Sequence, residues 1–154
     1  MDSKTTSKSI NDVVEDKKIK NIPDEPHYVA ATQNGWGVEM YGTEAVDGSP
    51  LDHAGIIGLP MTNFTIEGKG IKKARVKNKR GRWLDYKSGF GMNQLEALGD
   101  DTGITAIEIV GKGFIVGVHL KGGNWLNSVN TSDKEGEVTI GIGIPIDAIW
   151  IDRV

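Results

Sequence analysis

There is no cysteine anywhere in this 154-residue chain. That excludes a disulfide framework, thiolate-bound zinc, iron–sulfur clusters and cysteine nucleophiles together. Aromatic residues are few, at 6%. The three histidines, His27, His53 and His119, show no metal-ligand spacing. Neither a metal site nor a Ser-His-Asp set is therefore expected, and with them no cofactor and no enzymatic activity. Long apolar runs are missing too: no stretch approaches the roughly twenty residues of a membrane-spanning helix. Met1 to Ile22 has no run of signal-peptide length. A soluble chain is expected, with any export by another route and the compartment left open.

What the chain does have is glycine, 21 residues of it, set between short β-branched runs. That composition suits many short strands joined by tight turns and points to an all-β domain. Gly123-Asn124-Trp125-Leu126 is answered by Pro145-Ile146-Asp147-Ala148-Ile149-Trp150-Ile151, and the pairing occurs twice upstream. Gly81-Arg82-Trp83-Leu84 is answered by Gly103-Ile104-Thr105-Ala106-Ile107-Glu108-Ile109, with the same twenty positions from Trp to answering run. In the first copy, Asn34-Gly35-Trp36 is answered by Pro60-Met61-Thr62-Asn63-Phe64-Thr65-Ile66 after twenty-four. Pro60, Gly103 and Pro145 come into register at steps of 43 and 42 residues. This spacing defines a threefold repeat over 27–70, 71–113 and 114–154.

Each repeat reads as four short strands. In the first these are Tyr28–Thr32, Gly37–Tyr41, Ala54–Ile57 and Asn63–Ile66. After residue 26 no segment keeps helical apolar spacing for ten residues; Met92 to Leu98 comes nearest, and Gly91 and Gly99 bound it. Three repeats of four strands suit a β-trefoil or a β-prism. The trefoil is favoured, because the run ending each repeat is short enough for a tilted barrel. Residues 1–26 read as a disordered leader closed by Pro23 and Pro26, in which Ser9 and Asp12 offer a short helix start.

The repeat resembles the clostridial hydrophobic tryptophan repeats and the related carboxy-terminal modules of Gram-positive endolysins and amidases. The matching residues are Thr32-Gln33-Asn34-Gly35-Trp36 and Asp52-His53-Ala54-Gly55-Ile56 in the first repeat. In the third they are Val118-His119, Lys121 to Leu126, and Pro145 to Ile149. Repeat two departs most, with Lys-Asn-Lys-Arg before Gly81 and no Ala-Gly-Ile segment. The resemblance implies a non-catalytic module that docks on a bacterial cell envelope, usually through its glycans.

Two surfaces carry candidate binding chemistry. Trp36, Trp83 and Trp125 occupy one repeat position, and an indole packs well on a sugar ring. With Asn34, Asp85, Tyr86, Asn124 and Asn127 beside them they are candidate ligand contacts. The competing reading makes all three Trp core residues, and the apolar Leu84 and Leu126 that follow favour it. Trp150 alternates away from Ile149 and Ile151, as a capped surface aromatic or a contact. The second surface is Lys69 to Arg82, which has eight cations and no acid. As a strand it sets Lys73, Arg75, Lys77 and Lys79 on one face, with Arg82 beyond. Such a face attracts an anionic polymer, teichoic acid more than nucleic acid, unless it is only a lysine-protected edge. Asp100-Asp101 and Asp133, Glu135 and Glu137 read as loop carboxylates. The function expected is a carbohydrate- or cell-envelope-binding module; the alternative is a protein–protein module such as a trefoil-type inhibitor or a toxin or phage assembly subunit.

Overall fold

The computed structural model describes residues 22–131 and 135–154; the helix start at Ser9 and the leader up to residue 21 lie outside them. Every regular element among the described residues is a strand. The first repeat supplies β1 (His27–Thr32), β2 (Gly35–Trp36), β3 (Met40–Tyr41), β4 (Glu44–Ala45), β5 (Ala54–Gly55) and β6 (Asn63–Glu67). The second supplies β7 (Ile71–Asn78) and β8 (Ile104–Gly111). The third supplies β9 (Phe114–Leu120), β10 (Val129–Thr131), β11 (Gly136–Ile140) and β12 (Ile146–Arg153).

In each repeat the opening strand pairs antiparallel with the strand of the answering run: β1 with β6, β7 with β8, β9 with β12. Three separate antiparallel sheets result, and no closed barrel. The sheets are interlocked. Late in each repeat the chain crosses to the preceding repeat's sheet: Ala54 of β5 pairs with Ile149, Leu98 bridges to Phe64, and Ile140 of β11 pairs with Ile107. Those three partners are the positions aligned in the sequence. Each is fully buried, as are Met61, Ile104 and Ile146 three residues earlier. The Met61 amide donates to the Ile146 carbonyl at 2.8 Å, and the Ile104 amide donates to the Met61 carbonyl at 2.9 Å, so the repeats meet backbone to backbone around the core. The sheets of the second and third repeats each take a strand from another repeat, and that of the first takes a bridge from Leu98, so the repeats support one another.

Glycine is required where each crossing ends. Gly55, Gly99 and Gly141 have φ of 90°, 105° and 133°. A Cβ on them would strike the carbonyl oxygens of Asp147, Thr62 and Thr105, three residues at one repeat position.

Tyr28 ties the first repeat to the third. Its hydroxyl donates to the Gly42 carbonyl at 2.6 Å and accepts from the Ile151 amide at 2.9 Å. Burial pushes the phenol's pKa well up, against the lowering effect of the Ile151 bond, so the hydroxyl stays protonated. Tyr28→Phe leaves a carbonyl and an amide unpaired inside the protein. Urea unfolding is expected to show a loss of about 1–3 kcal/mol with an unchanged denaturant slope.

Several sequence expectations shift in detail. Of the strand expected at Gly37–Tyr41 only Met40–Tyr41 forms, as β3, while β2 lies before it at Gly35–Trp36, and Ala54–Ile57 shortens to β5 because Gly55 turns the chain. The folded body also starts before residue 27. The Pro23 carbonyl accepts from the Lys69 amide at 2.9 Å and the Pro26 carbonyl from the Gly42 amide at 2.8 Å, while Lys69 Nζ pairs with Asp24 at 2.8 Å. The prolines lack an N–H yet offer carbonyls to the strand ends.

The core reading of the tryptophans does not hold. Trp36 and Trp83 are half-buried and Trp125 is 41% exposed, and none joins the buried cluster. The cause is strand alternation. Gly37, Leu84 and Leu126 donate their amides to Ala30, Val76 and Val118, each at 2.9 Å, and Leu84 and Leu126 pack on the core. A residue beside an inward leucine points outward.

Candidate functional site: two tryptophan clefts and a basic face

Because each repeat's late segment crosses to the preceding sheet, Trp36 and Trp125 each come to face the next repeat's crossing loop. Two related clefts follow, and Trp83 lies instead on a basic face of its own repeat.

Trp36 lies with Asn63, Asn93, Gln94, Asp100 and Asp101 around a polar cavity of about 400 Å³. Asp100 is held below the usual carboxylate range, chiefly by the hydrogen bond from the Thr102 hydroxyl at 2.6 Å, against burial, and also by the Asn78 amide at 2.9 Å. Asp101 beside it is, among the described residues, the non-glycine with positive φ, 72°. Asn34 is exposed on the preceding turn, where its amide donates to Thr32 Oγ1.

Trp125 and Trp150 line a larger open cavity of about 560 Å³ with Thr43, Asp52, His53 and Ile57. The Trp125 ring is met edge-on by two imidazoles, His119 at 5.2 Å and His53 at 5.8 Å. His119 is fixed from below: its Nδ1 is 2.7 Å from Oδ1 of the fully buried Asp147, whose Oδ2 accepts the Gly58 amide at 2.7 Å. His53 Nδ1 is 2.9 Å from the exposed Asp52 carboxylate. Trp150 pairs across the sheet with Gly117, where a Cβ would fall inside the indole; that glycine lets the ring lie against the backbone of β9. The cleft thus offers two indole surfaces, two imidazoles, a carboxylate and a hydroxyl. A pyranose asks for that combination: apolar faces for its C–H groups and polar groups for its hydroxyls.

Around Trp83 the basic stripe takes the form the alternation required. Ala74, Val76 and Asn78 are buried, while Lys73, Arg75 and Lys77 face outward. The strand ends at Asn78, so Lys79 lies in the exposed turn with Arg82 nearby. Arg75 Cζ is 4.6 Å from the Trp83 centroid and 4.5 Å from that of Tyr86; Lys73 Nζ is 4.2 Å from Tyr86 and Lys77 Nζ is 5.0 Å from Trp83. The result is a ladder, Lys73–Tyr86–Arg75–Trp83–Lys77, with Asp85 exposed beside it. Glu108, which stands where Trp150 does in the third repeat, anchors the ladder. It accepts Arg75 Nε at 2.5 Å and the Tyr86 hydroxyl at 2.7 Å.

Burial raises the Glu108 pKa, but the bonds from Tyr86 and Arg75 and the guanidinium charge outweigh it and hold it below its ordinary value. The Tyr86 phenol is pushed up, first by the bond it donates to Glu108. A depressed carboxylate contributes stability that is present above its unfolded pKa and lost as pH falls through the folded one. Trp83 fluorescence is therefore expected to stay constant from neutral pH down through the ordinary glutamate range and to change only below it. In Glu108→Gln that acid transition should be absent.

The sequence reading named Trp36, Trp83, Trp125 and Tyr86 as ligand contacts and set the cations on a separate basic face; the structure brings Trp83 and Tyr86 into that face. Asn124 and Asn127 are exposed beside Trp125 but do not line its cavity. It missed His53, His119 and Asp147 as site residues. One signal was present: His119 lies six positions before Trp125, as Lys77 does before Trp83, and both bridge to their Trp. No protein-family model, no curated protein and no solved structure matches this chain.

Proposed function

We propose that this chain is a non-catalytic carbohydrate-binding module acting on a bacterial cell envelope. The observation that carries this reading is the cleft of Trp125 and Trp150, with its two indole surfaces and a rim of His53, Asp52 and Thr43. The recurrence of a Trp at each repeat supports several shallow sites whose joint occupancy supplies avidity. The likeness of the repeat to clostridial hydrophobic tryptophan repeats supports the envelope as the setting. Of the two architectures expected, one sheet per repeat and no barrel favour the β-prism over the β-trefoil. The protein-binding alternative calls for one continuous apolar face, whereas the exposed aliphatics are dispersed along the chain, with Ile56 and Ile57, Met92 and Leu95, and Ile142 and Ile144 in three different crossing loops and others at Val46, Leu51 and Val129.

Sedimentation of the full chain with intact Gram-positive walls, and with walls stripped of teichoic acid, tests this at low and high salt. Binding to stripped walls that persists in high salt is the expected result. No retention on either wall would overturn the proposal.

A further inference from the structure

The ladder on β7 has a property that the sugar cleft does not need. Lys72 and Lys69, beside it, are each neutralised by a carboxylate, Glu135 at 3.0 Å and Asp24 at 2.8 Å. Within the ladder Arg75 is neutralised by Glu108. Lys73 and Lys77 have no carboxylate within ion-pair distance among the described residues; their ammonium groups rest on Tyr86 and Trp83 instead. A ring holds a cation in place without cancelling its charge. Two long side chains are thereby ordered in advance, which reduces the entropy lost when an anion binds. They stand on one face of one strand, four residues and so about 13 Å apart, and exposed Lys79 and Arg82 lie in the turn that closes on Asn78 at the strand end.

We propose that the outward face of β7 binds a linear polyphosphodiester that carries no bases, a poly(polyol phosphate), lying along the strand with phosphates at Lys73 and Lys77. Arg75 and Glu108 act as positioning residues, keeping Tyr86 and Trp83 at their spacing under the two lysines. A base-free chain fits because stacking of nucleobases needs a bare aromatic face, and each ring here already carries two cations. The acidic groups nearest the face are Glu108 itself, Glu137 on β11, which pairs across β8, and Asp85. Glu108 stands opposite Arg75, between the two lysines, and its carboxylate is taken up by Arg75 and Tyr86. This surface is distinct from the Trp125 cleft, so the two readings fail independently.

The test uses the full chain and labelled synthetic poly(glycerol phosphate), with oligo(dT) and inorganic phosphate as competing probes, over a series of salt concentrations. Binding of the polymer is expected, with the logarithm of affinity falling linearly against that of salt. Lys73→Gln/Lys77→Gln should weaken it at least tenfold and reduce the slope by about 0.7 for each phosphate that is no longer neutralised. Lys72→Gln, off the ladder face, should keep the parent slope to within the value of one phosphate, and Trp125→Ala should not alter this ligand at all. Thermal melting of each variant against the parent verifies that these surface changes leave the fold intact. Unchanged affinity and slope in the double variant would overturn the proposal. So would oligo(dT) binding as tightly as the polymer and depending on Trp83, which would assign the face to single-stranded nucleic acid, or inorganic phosphate competing as well as the polymer.

Discussion

Gly141→Ala is expected to cost the folded chain about 3–5 kcal/mol, a large part of the roughly 5–15 kcal/mol that holds a domain of this kind together. Two effects add. At φ of 133° an alanine sits in a region that only glycine enters freely, a strain of about 1–3 kcal/mol. Its Cβ would also fall within contact of the Thr105 carbonyl and of both the backbone and the side chain of Ala106, so β11 must move off β8. That pairing is the third repeat's hold on the second, and losing it opens the interlock. Scanning calorimetry should show a melting temperature lower by about 10 °C. Gly143→Ala is the control, since its φ of 90° carries the strain but nothing stands within 4 Å of the added carbon. A small loss there and a large one at Gly141 separates the clash from the strain. Equal losses would mean that the crossing segment bears no special load.

Trp125→Ala should do the opposite, leaving the fold nearly intact and removing the ligand. The ring is 41% exposed and its burial partners are the edges of two imidazoles, contacts worth about 0.5–1.5 kcal/mol each at most. A stability change of about 1 kcal/mol is expected, against about 3–5 kcal/mol for truncating a fully buried aromatic such as Phe64. An indole that anchors a binding site is worth about 2 kcal/mol or more, so affinity for wall glycan should fall at least about 30-fold, read by calorimetric titration. Gly117→Ala approaches the same cleft from outside it. The new methyl would displace the Trp150 indole and should weaken the same ligand without touching Trp125. Glycan affinity unchanged in both variants would remove the cleft from the mechanism.

Much of this was legible because it is local. Alternation along β7 is written in Ala74, Val76 and Asn78 against Lys73, Arg75 and Lys77, and the strand follows it. The aligned positions Met61, Ile104, Ile146 and Phe64, Ile107, Ile149 are all buried, since a residue and its copies meet the same neighbours in a threefold core. The tryptophans were harder to read. Leu84 and Leu126 beside them are apolar because they face inward, and in a sequence an apolar neighbour reads equally as a sign that the whole turn is buried. Period-two geometry makes the inward leucine an argument for an outward tryptophan.

From its residues alone the chain determined its class, its threefold period, its inward positions and the cationic face, since each depends on side-chain chemistry repeating at fixed spacing. Only the tertiary structure decided which repeat completes which sheet. Backbone hydrogen bonds carry no side-chain identity, so nothing in Ala54, Leu98 or Ile140 names the strand each will join. That exchange brings His53 from the first repeat against Trp125 from the third and lays Trp150 beside them. It is also why histidines at unrelated repeat positions share one cleft, whereas the cations of the second repeat share a face through alternation along β7 alone.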